Sequence, residues 1–152
     1  MKSIKDISPW LLAGLGALAF VGFLDALYLT LMHYSNHTVA CIVTTGCETV
    51  ANSKYSTVFG IPVALGGVAW YTAAIVLMTA YFDSKKELFL KAFALLGIIA
   101  AIASAFFVYA QIVLLQSICF WCMVSAGVSF TLFFSGLYFL SFLKRTRNKQ
   151  LI

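Results

Sequence analysis

Long uncharged runs separated by short clusters of charge set the pattern of this chain. Trp10 to Met32 carries one acid, Asp25, and no base. Gly60 to Phe82 carries no charge. Leu88 to Leu115 carries only Lys91, near its start, and Ser117 to Leu143 carries none. Each run meets the roughly 20 residues that a helix needs to cross a hydrocarbon core. In lipid only helices and closed barrels satisfy their own backbone, and these runs are continuous rather than alternating, so the pattern predicts helices. They fall at 10–33, 60–82, 88–115 and 117–143, with a long loop at 34–59. The fold class expected is all-α, a polytopic membrane four-helix bundle. The first run is too long for the core of a signal peptide. No segment outside the helices is long enough for a core of its own, so 1–152 reads as one integral membrane domain. There is no internal repeat and no low-complexity tract.

Composition agrees with the pattern. Of 152 residues 62% are hydrophobic and 10% charged, against ~45–50% apolar in a soluble domain. The net charge of +5 does not signal nucleic acid, because of where the bases lie. Lys2 and Lys5 precede the first helix, and Lys85, Lys86 and Lys91 sit between the second and third. Lys144, Arg145, Arg147 and Lys149 follow the fourth. The loop after the first helix has only Lys54, and the turn between the third and fourth has none. The positive-inside rule then puts both termini and the middle loop in the cytoplasm of a multi-pass cell-membrane protein. The terminal basic cluster also meets anionic lipid headgroups.

That orientation places all four cysteines at the extracytoplasmic face. Cys41 and Cys47 lie in the long loop, and Cys119 and Cys122 open the fourth helix. It is the oxidising side, where disulfides persist. Residues three apart on a helix share a face about 5 Å apart, within disulfide range. The free N–H groups and positive dipole of a helix start favour thiolate. Closing a two-residue gap adds little as a staple, so Cys119-Phe120-Trp121-Cys122 has the physics of a redox pair. Two buried cysteines acting as small apolar residues are the plainer alternative. Cys41 and Cys47 would stand ~9 Å apart on a straight helix, so a bond between them needs a bend. Thr44-Thr45-Gly46 supplies one. A permanent loop staple and a four-thiolate zinc site stand beside the redox reading.

Two pairs on one side suggest a relay through mixed disulfides, one pair meeting a soluble partner and the other the membrane. The electrons must then leave. His33 and His37 are the only histidines, and no metal or flavin site is apparent. Gly14-x-Gly16 lies inside an apolar helix and reads as close helix packing. A lipid-soluble quinone, ubiquinone, menaquinone or a relative, fits as the electron acceptor.

These residues resemble the vitamin K epoxide reductase family in its bacterial or archaeal form. The resemblance rests on "FLDALYLT" in the first helix, on "C-x5-C-E-T-V-x-x-S-x-Y" in the loop, on "FGIP" entering the second helix and on "CFWC" opening the fourth. It implies a bundle around a quinone with loop 34–59 as an outer lid. It implies that Cys122 reduces the quinone with Cys119 as its partner. Cys47 would pass electrons to Cys119, and Cys41 would resolve with Cys47 and face the soluble partner. Ser53 matches the family's loop serine, and Ser53, Tyr55, Phe59 and Trp121 are candidates for the quinone pocket. The chain ends in "KRTRNKQLI" rather than in the fused thioredoxin-like domain of many bacterial members, so the expected partner is a separate thioredoxin-like or DsbA-like protein. Animal members that act on the epoxide carry Tyr one turn after the second active cysteine. Here the position is Ala126, which favours quinone over epoxide.

Asp25 is a costly acid inside a membrane helix. It either supports the lid and nearby protonation or snorkels to the interface. Two other functions compete. One is the four-helix oxidase that recharges DsbA, whose Cys-x-x-Cys lies in the first outer loop instead. The other is a non-enzymatic scaffold with structural disulfides.

Overall fold

The computed structural model describes residues 7–35 and 46–150. Four helices in it are long and apolar enough to cross a membrane. The first, α1, runs Pro9–Ser35. A short helix α2, Cys47–Ala51, and a two-stranded hairpin, β1 Thr57–Val58 with β2 Ile61–Pro62, lead into α3, Val63–Ser84. Then come α4, Glu87–Tyr109, a π-helical turn, Ala110–Leu114, and α5, Phe120–Gln150. The protein is an all-α polytopic membrane bundle in which α1 packs chiefly on α3 and α4 on α5.

Three details depart from the expected boundaries. α3 begins at Val63 rather than Gly60 because Phe59 and Gly60 form the tip of the hairpin. Both have positive φ, 51° and 80°, as a two-residue hairpin turn of the primed type demands. α4 passes into a π-turn before Gln116, at φ 48°, ends it. α5 continues seven residues past Leu143, to Gln150, through the basic segment; leaving the apolar run does not stop a helix that Lys, Arg and Gln propagate well.

Small residues decide the close contacts, though not the pair singled out from sequence. Gly14 and Gly16 have no neighbour within 4 Å of where a Cβ would stand, so they do not pack helices together. Gly22 does: a Cβ there would lie 2.5 Å from the Tyr71 ring. Gly136 sits against Ala94, whose Cα would be 3.1 Å from the added carbon. Without a hydrophobic drive between helices in lipid, such backbone approach is a main source of association.

The two ends of the bundle differ. Toward the α1 N-terminus and the α3–α4 turn it is solid, with Leu15, Met78, Tyr81, Leu90, Phe93 and Phe139 buried. The Trp70, Phe93 and Phe139 rings follow one another at 6.1 and 6.4 Å. Toward the C-terminus of α1 and the N-terminus of α5, the cysteine-bearing end, the bundle is hollow.

Candidate functional site

The hollow is a cavity of about 690 Å³, within the size range of small-molecule sites. All four long helices contribute walls, and α2 with the turn after it closes one side. Cys119 and Cys122 both lie on the wall, and neither is in a disulfide.

Cys119 is placed by three contacts. Its carbonyl accepts the Met123 N–H at 3.1 Å, which makes it the cap residue of α5. Its Sγ accepts the Cys122 N–H at 3.4 Å, so the sulfur takes the place of an N-cap side-chain oxygen. Its own N–H donates to Gln111 Oε1 at 2.8 Å. The Cys122 thiol and the N–H groups of Cys122 and Trp121 all favour a negative sulfur, and the Cys119 thiol is held below its ordinary range.

Gln111 was not among the residues singled out from sequence. It is 2% exposed and sits in the π-turn. The extra residue of such a turn re-aims side chains, and π-turns recur at functional sites. The signal was present: Gln111 is a lone amide in the apolar stretch between Ser104 and Gln116. Replacing Gln111 by Leu leaves the Cys119 N–H buried without an acceptor. The expected loss is about 1–3 kcal/mol, read as a lower midpoint of thermal unfolding in detergent.

The loop pair is half described. Cys41 and the loop residues 36–45 lie outside the described residues, as does His37. Cys47 is disulfide-bonded and 1% exposed. It forms one buried cluster with Cys119, and Tyr28, Leu29, Met32, Val50 and Trp121 pack around them. Gly46 explains the approach. A Cβ at Gly46 would stand 2.7 Å from the Ile118 carbonyl oxygen and 2.8 Å from its nitrogen. The glycine read as a bend is thus also a contact that lets α2 lie against the residue before Cys119.

Ser53 and Tyr55 line the cavity. Ser53 Oγ donates to the Val50 carbonyl at 2.8 Å, and Ser56 Oγ to the Ser53 carbonyl at 2.8 Å. These bonds brace α2 and the following turn. Tyr55 meets Phe106 edge to face at 6.5 Å. The other two pocket candidates are not on the wall. Phe59 is fully exposed at the hairpin tip, because a two-residue turn carries its side chain away from the bundle. Trp121 meets Tyr28 at 5.3 Å, the rings tilted by 54°, beside the two buried cysteines. Ala126 does line the cavity, and so does Trp70, whose indole N–H is buried with no acceptor. Asp25 is 5% exposed and does not reach the interface, so it does not snorkel.

Comparison with known proteins agrees with this layout. A model of the Vitamin K epoxide reductase family matches residues 13–137. The thiol-disulfide oxidoreductase LTO1 of Arabidopsis thaliana is 35% identical over 119 residues, covering 73% of this chain and 32% of that protein. The chain thus spans about a third of the length of this relative. From the start of the first membrane helix to the middle of the last, the match includes every element that builds the cavity, and the chain belongs to the vitamin K epoxide reductase family.

Proposed function

We propose that the protein is a membrane thiol–quinone oxidoreductase. It oxidises a thioredoxin-like protein and passes the electrons to a membrane quinone, which supports disulfide formation in exported proteins. The observation that carries this reading is the junction at Cys119. On one side it shares a buried cluster with Cys47, and on the other it opens, with Cys122, onto an apolar cavity between membrane helices. Static staples need neither a cavity nor two free thiols on its wall.

The cavity fits a quinone as the electron-accepting substrate. Its lining is mostly apolar, while the orphaned Trp70 N–H is a donor in need of an acceptor, and a ring carbonyl supplies one. Gln111, Asn52 and Ser129 add polar groups to the wall. In this reading the Cys41–Cys47 bond takes electrons from the soluble dithiol. Cys47, once freed, exchanges with the Cys119–Cys122 bond through a mixed disulfide with Cys119. The reduced inner pair then gives up two electrons, one from each sulfur, through Cys122 to the quinone, while the Cys119 thiolate closes the disulfide.

Purified protein supplied with a reduced thioredoxin-like dithiol should consume quinone in proportion to disulfide formed. Thiol trapping that shows no quinone-dependent change in any of the four cysteines would instead identify a scaffold. Nine of ten Lys and Arg residues lie near the termini, in the α3–α4 turn or, for Lys91, at the start of α4, so those ends are assigned to the cytoplasm. A reporter fused after Ile152 should be active only there, and activity on the other side would reverse the assignment of the cysteines.

A further inference from the structure

Asp25 is a buried acid that the thiol chemistry above does not use. Both of its carboxyl oxygens are buried without a hydrogen-bond partner. It lies one turn after Gly22 on α1, and the space left by Gly22 admits the Tyr71 ring from α3. Ser125 of α5 faces the carboxyl, near enough to attract it though beyond a good hydrogen bond. Tyr71, Cys119 and Cys122 are within its electrostatic reach, and the one Lys, Arg or His among the described residues lining the cavity is His33, about two turns further along α1.

Hydroxyls separate this acid from the cavity. The Tyr71 hydroxyl donates to the Ser125 carbonyl at 2.7 Å and stands 3.0 Å from both the Ser125 and the Ser129 hydroxyls. Tyr71, Ser125, Ser129 and Cys122 all line the cavity, whereas Asp25 does not. Hydroxyls at these distances pass a proton along a chain, each donating as it accepts, once the Asp25 carboxyl turns to Ser125 and the Tyr71 hydroxyl turns from the Ser125 carbonyl.

Charge decides when Asp25 is neutral. A thiolate at Cys119 and a carboxylate at Asp25 would be two negative charges in one buried site, and such charges exclude each other. We infer that Asp25 is the proton store of this site: it holds a proton while Cys119 is thiolate and releases it through the Ser125–Tyr71 hydroxyls to the quinone as the Cys119–Cys122 disulfide forms. This inference rests on the quinone reading above.

The balance closes. With Cys119 as the thiolate, the reduced pair holds one proton, on Cys122. Conversion of quinone to quinol takes two electrons and two protons. Both electrons come from the two sulfurs as the S–S bond forms. One proton comes from Cys122 and the other from Asp25, and the negative charge moves from the Cys119 sulfur to the carboxylate. Re-reduction reverses this. The loop dithiol closes its own disulfide and yields two electrons and two protons, of which one stays on the inner pair and one returns to Asp25. The sum is dithiol plus quinone giving disulfide plus quinol.

Infrared difference spectroscopy on the full-length protein tests this without quinone. Reduced protein should show the carbonyl stretch of a buried carboxylic acid. The band should vanish when diamide oxidises the inner pair, and it should be missing from Asp25→Asn. In the quinone assay Asp25→Asn should lower kcat by about 100-fold, the scale of a lost general acid, with KM for quinone near that of the wild type. Asp25→Glu, which keeps the acid, should recover most of the rate. A wild-type spectrum with no acid band, or with one unchanged by oxidation, overturns the inference, as does a wild-type kcat in Asp25→Asn. Should Asp25→Asn not fold, Asp25→Glu decides: its band must move and remain tied to the redox state, and an unmoved band sinks the assignment. Wild-type protein that shows the redox-linked band but consumes no quinone would retain the store and remove quinone as its acceptor.

Discussion

Cys122→Ser should abolish quinone reduction, with dithiothreitol as well as with a protein dithiol as reductant. The loss should be on the order of 1,000-fold or more, since a nucleophile that forms the covalent bond has no substitute in the site. The reasoning is local. Cys119 and Cys122 are thiols on the cavity wall, and each reaches the membrane side of the site only through that wall. A small dithiol bypasses the loop pair but still needs an S–S bond to reduce. Serine cannot form one, so the two electrons have no carrier into the cavity. The fold should survive, because Cys122 is only half-buried and a hydroxyl at the third position of a helix is readily satisfied. Near-normal turnover in a folded Cys122→Ser protein would remove the α5 pair from the quinone side of the mechanism.

The four helices were legible because lipid allows few alternatives: a continuous apolar run must satisfy its backbone within itself. Asp25 was legible as an anomaly for the same reason, although the hydroxyls of Tyr71, Ser125 and Ser129 grouped nearby were not. Ser125 and Ser129 lie more than fifty positions from Tyr71, and only packing brings them together. The Cys-x-x-Cys spacing put Cys119 and Cys122 side by side, and both stand on the cavity wall. That Cys47 shares a buried cluster with Cys119 depends on Gly46 meeting Ile118, a contact between distant segments with no local signature. Gly14-x-Gly16 misled because spacing alone does not say which face of α1 meets a helix. The face is set by Gly22 against Tyr71 and by Gly67, which has room for no more than the Ala26 methyl. Phe59 misled in the opposite way: the family resemblance made it a pocket candidate, whereas the turn at Phe59-Gly60 exposes it. The π-turn that aims Gln111 is an irregularity in hydrogen bonding, and apolar periodicity does not record it.

Cys41→Ser should trap the relay at its midpoint. A soluble protein thiol cannot enter a site lined by membrane helices, so it must attack a bond carried by the loop. In the wild type that attack frees Cys47, which exchanges with the inner pair and is then released as Cys41 re-forms the loop disulfide. Without Cys41 nothing local resolves Cys47. The structure makes its next partner specific: Cys47 is 1% and Cys119 2% exposed, within one cluster. A Cys47–Cys119 disulfide should therefore accumulate and be recovered by mass spectrometry of non-reduced peptides. Activity with the protein dithiol should fall by about 100-fold or more, as for other losses of a covalent participant. A small membrane-permeant dithiol reduces the inner pair directly, so part of the activity should remain with it. A permanent staple predicts another pattern. Its removal would lower stability by roughly 2–4 kcal/mol and reduce both activities together. Equal loss with both reductants, a lowered unfolding midpoint and no Cys47–Cys119 peptide would assign the loop pair to the fold rather than to electron transfer.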